Sequence, residues 1–157
     1  TMSRRDQIRL SEEEMLDYLK TSRTMIMVSN GKNGYPHPMP MWFAVGDDKN
    51  IYMTTFKKSQ KINNLKNDPR VALLIESGDA YQELKSLLIY TEVEFIDDLE
   101  RTRDILEKIA IQRGDIKTDA SEEIRQGMLR TAEKRIGMKF SPRDIVSWDH
   151  TKLGGVY

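Results

Sequence analysis

The stretch Tyr35-Pro-His-Pro-Met-Pro-Met-Trp-Phe43 places proline at three alternate positions, Pro36, Pro38 and Pro40. Alternate residues of a β-strand direct their N–H and C=O groups toward the same neighbour, so this spacing deletes donors from one side of a ladder only. That side cannot be a fully paired sheet interior. The strand is therefore expected at an edge, or along a split where a barrel opens. There its carbonyls and the amides of Met41 and Trp42 would be left for a flat ligand with its own donors and acceptors. The alternative is an edge strand that uses proline only to block pairing with another chain.

The flanking sequence reads as antiparallel strands. Met25 to Ser29 is apolar, and Asn30-Gly-Lys-Asn-Gly34 is a turn rich in residues that tolerate positive φ, which together predict a hairpin with the proline strand. After a second turn at Gly46-Asp-Asp-Lys-Asn50, Ile51 to Thr55 is expected to return antiparallel to it. Arg70 to Glu76 and Leu87 to Ile96 read as further strands, with a last strand over Met138 to His150 interrupted by Pro142. Ser11-Glu-Glu-Glu14 is a capping box that opens a short amphipathic helix ending near Thr21. Asp97-Asp98 starts a long helical region. Leu99, Ile105, Leu106 and Ile109 lie near one stripe of it, and Ile124, Met128, Ala132 and Ile136 recur at intervals of four, as core or subunit contacts. Six strands with helices grouped at two places predict a mainly β chain, a small antiparallel barrel with flanking α-helices, in a single domain over residues 1–157.

The chemistry concentrates between Ile51 and Ile75. The strand Ile51 to Thr55 runs into a short basic loop, a helix opens at about Ser59, and Asp68-Pro69 stops it. Lys57, Lys58 and Lys61 surround that helix N-terminus, where unpaired N–H groups and the helix dipole already favour an anion. Ser59 can cap the helix or turn its hydroxyl to the same ligand. A solvated basic face accounts equally well for Lys57, Lys58 and Lys66. Lys61 is harder to dismiss, because a cation is disfavoured at a helix start unless an anion sits beside it. No Gly-x-x-x-x-Gly-Lys-Ser/Thr run is present, which excludes a Walker-type loop. A ligand with a flat polar ring at one end and a phosphate at the other would reach from Pro40-Met41-Trp42 to Lys57 and Lys61.

The 157 residues carry 25 basic and 25 acidic side chains, a balance that argues against general nucleic-acid binding. No apolar run approaches a membrane span and the N-terminus is too charged for a signal peptide, so a cytoplasmic protein is expected, with no membrane partner. The absence of cysteine removes thiolate nucleophiles, disulfides and cysteine metal sites. His37 and His150 are the only histidines, too few to suggest a metal site. Any reactive chemistry would then come from a bound organic cofactor.

The proline-rich Pro-Met-Pro-Met-Trp-Phe strand, the Ile51–Thr55 strand with its Lys57 to Glu76 continuation, and the late segment from Ser141 to Gly155 resemble the pyridoxamine 5′-phosphate oxidase-like, FMN-binding split-barrel superfamily, and in particular its small, deazaflavin-associated members. The resemblance implies a six-stranded split β-barrel of Greek-key type that forms homodimers with cofactor sites at the subunit interface. It implies FMN as cofactor, with an 8-hydroxy-5-deazaflavin coenzyme as the alternative, and hydride transfer to a small-molecule substrate. By position, Lys61 holds the cofactor phosphate and Lys57 matches a second basic position, with Lys58 beside it. Thr54, Thr55 and Ser59 line the phosphate and ribityl region. Met39, Pro40, Met41 and Trp42 run along the ring, and Trp148 reaches the site from the partner subunit. Phe56 and Lys58 depart from a pattern that is often small at both positions. The C-terminal arginine and histidine motifs of the vitamin-oxidising members are missing, which argues against pyridoxamine phosphate oxidase activity itself. A non-catalytic flavin or haem module, with His37 or His150 as axial ligand, is the reading from a different class.

Overall fold

The computed structural model describes residues 2–118 and 120–155. Two short helices lead the chain, α1 (Arg4–Gln7) and α2 (Glu12–Thr21). The predicted capping box is formed: Ser11 Oγ accepts from the Glu14 amide, and Glu14 accepts from the Ser11 amide. The strands β1 (Thr24–Asn30), β2 (Pro36–Trp42), β3 (Ala44–Val45) and β4 (Ile51–Phe56) follow, then helix α3 (Gln60–Asn67). Strands β5 (Arg70–Ser77) and β6 (Lys85–Ile96) precede the helices α4 (Leu99–Arg113) and α5 (Glu122–Ala132). The chain finishes with β7 (Arg135–Phe140) and β8 (Asp144–Asp149).

All of the strand pairings are antiparallel, in the order β2-β1-β5-β6-β7-β4-β3, with β8 also on β6. The sheet curls into a split half-barrel flanked by helices. Its two extreme strands, β2 and β3, are consecutive in the chain and separated by Phe43, which is fully buried. The split is thus bridged by covalent chain, not by a ladder. Long β6 is the spine: one edge carries β5, and the other carries β8 along Lys85–Tyr90 and β7 along Val93–Ile96.

There are eight strands where six were expected, because two long strands are each broken once. Phe43 turns inward between β2 and β3. Between β7 and β8, Ser141, Pro142 and Arg143 stand opposite only Thr91 and Glu92, a bulge that Thr91 fastens by donating to the Ser141 carbonyl at 2.6 Å. The expected interruption at Pro142 is this bulge.

Three further expectations are corrected. The expected strand from Tyr35 to Val45 meets β4 only at its last two residues, Ala44 and Val45, which form β3; along the prolines β2 pairs with β1 alone, and the other edge of β4 carries β7. The β1–β2 register sets Pro36, Pro38 and Pro40 opposite Asn30, Val28 and Ile26, so the residues that exchange hydrogen bonds with β1 are the intervening His37, Met39 and Met41. The Met41 amide is consequently turned into the sheet, and only that of Trp42 shares the open side with the proline carbonyls. Finally, Ile136 belongs to β7 and not to a helical stripe, and the helical region divides at Gly114, whose φ of +82° ends α4. Leu99 is exposed, whereas Ile105 and Ile109 are buried.

The barrel interior is rich in methionine: Met25, Met27, Met53 and Met138 pack with Phe43, Phe140, Leu73 and Leu87, all nearly without solvent contact. Flexible thioethers fill the uneven interior of a half-open barrel. Leu65 of α3 enters the same core, which anchors that helix at the barrel mouth.

Candidate functional site

A cleft of about 500 Å³ lies between the edge of β2, the end of β4, the start of α3 and the two long helices. This is within the range of about 300 to 1,000 Å³ usual for small-molecule and cofactor sites. Strand β2 contributes Met39, Pro40, Met41 and Trp42; β4 contributes Thr54, Thr55 and Phe56. Lys61 comes from the first turn of α3 and Arg135 from the first residue of β7. Leu106, Ile109 and Thr131 close the far wall. Elements far apart in the chain meet here because α4 packs on β3, β4 and β7 while α3 is anchored in the barrel core.

The electrostatics are one-sided. Lys61 and Arg135 are both half-buried, burial lowers the pKa of each, and no carboxylate among the described residues lines the cleft. Lys61 has no ion pair among the described residues. Arg135 donates from Nη1 to Thr54 Oγ1 at 3.3 Å, while its buried Nε has no acceptor. Ser59 occupies the N-cap position of α3 but makes no capping bond; its Oγ lies 3.4 Å from Thr55 Oγ1, so both hydroxyls remain available to a ligand. At the rim, the open side of β2 presents the Pro40 carbonyl, with those of Pro38 and Pro36 further along the same edge, which suits a ring edge that donates.

Of the three candidate lysines, only Lys61 enters the cleft. Lys57 stands outside it, 3.6 Å from Asp97, and Lys58 is exposed outside it as well. Trp148 is placed in β8 opposite Ser86, away from the cleft of its own chain. His37 lines a separate groove with Gln60 and Asn64, and His150 Nδ1 is engaged with the Tyr81 carbonyl at 2.6 Å. Arg135 went unrecognised in the sequence because the four-residue spacing through Ile136 disguised the start of a strand. Its usable signal was the alternation of Ile136, Met138 and Phe140, which places Arg135 at the strand's beginning.

A larger recess, of about 620 Å³, lies on the outward face of the sheet. Its arginines are already matched, Arg70 with Asp68 at 2.7 Å and Arg143 with Glu92 at 3.3 Å, so it offers no surplus charge to an anion. The smaller cleft is the better candidate.

The family profile for pyridoxamine 5′-phosphate oxidase matches residues 11–145. The chain belongs to that family. The cleft is built wholly from residues inside the matched span. A conserved hypothetical protein of Mycobacterium tuberculosis superposes with a TM-score of 0.89 at 32% identity, over 99% of this chain and 95% of that one. More distant members of the fold differ in what they are named for. An F420 reductase aligns with a TM-score of 0.62 at 21% identity, over 82% of this chain and 93% of that one. A haem-storage protein of Vibrio cholerae aligns with a TM-score of 0.64 at 15% identity, over 87% and 94%. At such identities the likeness shows the fold alone. No curated protein matches the sequence.

Proposed function

We propose that the protein is an FMN-binding oxidoreductase whose cofactor lies in this cleft. The observation that carries the reading is the pairing of two half-buried, unmatched cations with an adjacent strand edge that only accepts hydrogen bonds until Trp42. Lys61, with the Ser59 and Thr55 hydroxyls, holds the phosphate. The Trp42 amide and the carbonyls of the β2 edge orient the ring. Leu106 and Ile109 exclude water from its apolar side. The bound flavin supplies hydride transfer at N5, so no side-chain nucleophile is needed. This agrees with a chain that lacks cysteine and whose two histidines lie outside the cleft.

The site is completed by a second copy of the chain. Pro40, Ile26, Leu74, Leu88 and Val146 form one continuous row across β2, β1, β5, β6 and β8 on the outward face of the sheet. Trp148 lies two residues beyond Val146 on that face. An apolar row of this breadth suits an interface between subunits. Because it runs up to Pro40 at the cleft rim, a docked partner would border the cofactor.

The deazaflavin coenzyme is the second reading, favoured by the F420 reductase that shares the fold. The test is to titrate the protein with FMN and with the 8-hydroxy-5-deazaflavin coenzyme in parallel, following ligand fluorescence, and then to offer the loaded protein a hydride donor. Tight FMN binding followed by reduction is expected. Binding of the deazaflavin alone would move the function to the second reading, and binding of neither would overturn both. An FMN complex that no donor reduces would leave a binding module.

A further inference from the structure

We infer that Arg135, lying over the Phe56 ring, is the second cation of the anion subsite, and that it forms with Lys61 the pair that recognises a terminal phosphate. The inference rests on the flavin reading above and goes beyond it by replacing the expected contribution of Lys57 and Lys58. Arg135 stands opposite Phe56 in the β4–β7 ladder. Its guanidinium lies 4.3 Å from the Phe56 ring centroid, and Nη1 donates to Thr54. These contacts hold the guanidinium over the ring but leave the buried Nε–H without an acceptor.

A buried donor without a partner is costly, and a ligand oxygen that accepts from it removes the cost. A guanidinium is a planar fork of donors, and the N–H groups not engaged with Thr54 match two oxygens of a phosphate. Lys61 approaches the same cleft from the helix start as a compact charge. With no carboxylate among the described lining residues, the two cations are left to an anion from outside the chain. Phe56 thereby acquires a role. This large ring, at the end of β4, is 54% exposed, and it serves as the platform that positions Arg135.

The experiment measures equilibrium binding of FMN and of riboflavin, which has the same ring and ribityl chain without the phosphate, to the full chain and to R135Q, F56A and F56Y. R135Q is expected to weaken FMN binding by about 10- to 100-fold and to leave riboflavin binding unchanged. F56A should produce a smaller loss confined to FMN, restored by F56Y. If R135Q does not fold, R135K, which keeps the charge but loses the fork, carries the same comparison. FMN affinity unaltered in R135Q, or an equal loss for both ligands, would overturn the inference while leaving the flavin reading in place. An unaltered chain that binds neither FMN nor riboflavin would overturn that reading and this inference with it.

Discussion

Lys61 holds its charge where burial disfavours it and where the helix start repels it, and among the described residues no acidic partner offsets either effect. Lys57, four residues earlier, is half exposed and stands near Asp97. Only the first of these charges has reason to await a ligand. A charge-assisted contact to phosphate is worth about 1.5 to 3 kcal/mol, so Lys61→Ala should weaken FMN binding by roughly 10- to 100-fold. Lys57→Ala should change it by no more than about twofold, in keeping with an exposed ion pair. Fluorescence titration of the two variants side by side checks the contrast, and equal effects would return Lys57 to the site. At the other end of the molecule, Lys152 donates to Glu14 at 2.7 Å and to the Arg9 carbonyl at 2.9 Å. The Lys152 bond and the Ser11 amide pull the Glu14 carboxyl down to about 2. A folded-state pKa below the unfolded one stabilises the protein above the unfolded value and loses that contribution as pH falls through the folded value. Thermal melts should therefore show stability declining between about pH 4.5 and about pH 2, and Glu14→Gln should flatten part of that decline.

Among the elements, β7 packs closely against both α4 and β6. A Cβ added at Gly137 would lie 2.8 Å from Ile105 Cδ1, 3.1 Å from Ile96 Cβ and 3.3 Å from the Ile96 carbonyl oxygen. The isoleucine tip of α4 can yield, but the neighbouring strand cannot. Gly137→Ala is expected to destabilise the fold by about 1 to 3 kcal/mol, read from the denaturation midpoint, and to loosen the α4 wall of the cleft. A variant as stable as the parent would mean that α4 sits less firmly on β7 than its contacts indicate. The same strand marks the limit of what local pattern reveals. Ile124, Met128 and Ala132 lie in a helix as their spacing predicts, yet the spacing continues by chance to Ile136, whose real period is the alternation of a strand. Where the signal was chemical the expectation held, as in the Ser11 cap and the donor-free edge of Pro36, Pro38 and Pro40.

For the molecule as a whole, the parts of the candidate cleft adjacent in sequence were legible, and the parts assembled by topology were not. The β2 edge and Lys61 at the helix start could be read from residue types, whereas Lys57 and Lys58, read from the same loop, fall outside the cleft. Arg135 joins the cleft only because β4 pairs with β7, a register that no local pattern specifies. The exclusion of Lys57 likewise depends on Asp97, which the end of β6 delivers beside it. The outward row of Ile26, Leu74, Leu88 and Val146 is half-buried in a single chain, whereas the alternate residues Met27, Leu73, Leu87 and Ile89 fill the barrel core. A charge placed on the row should therefore oppose association without entering that core. Sedimentation or light scattering is expected to give the parent a mass near twice 18.3 kDa, and Leu74→Glu a mass near 18.3 kDa with its circular dichroism retained. If the partner completes the site, the monomeric variant should also bind FMN more weakly. A monomeric variant with undiminished FMN affinity would place the whole cofactor site within one chain, and a parent that is itself monomeric would remove the shared interface altogether.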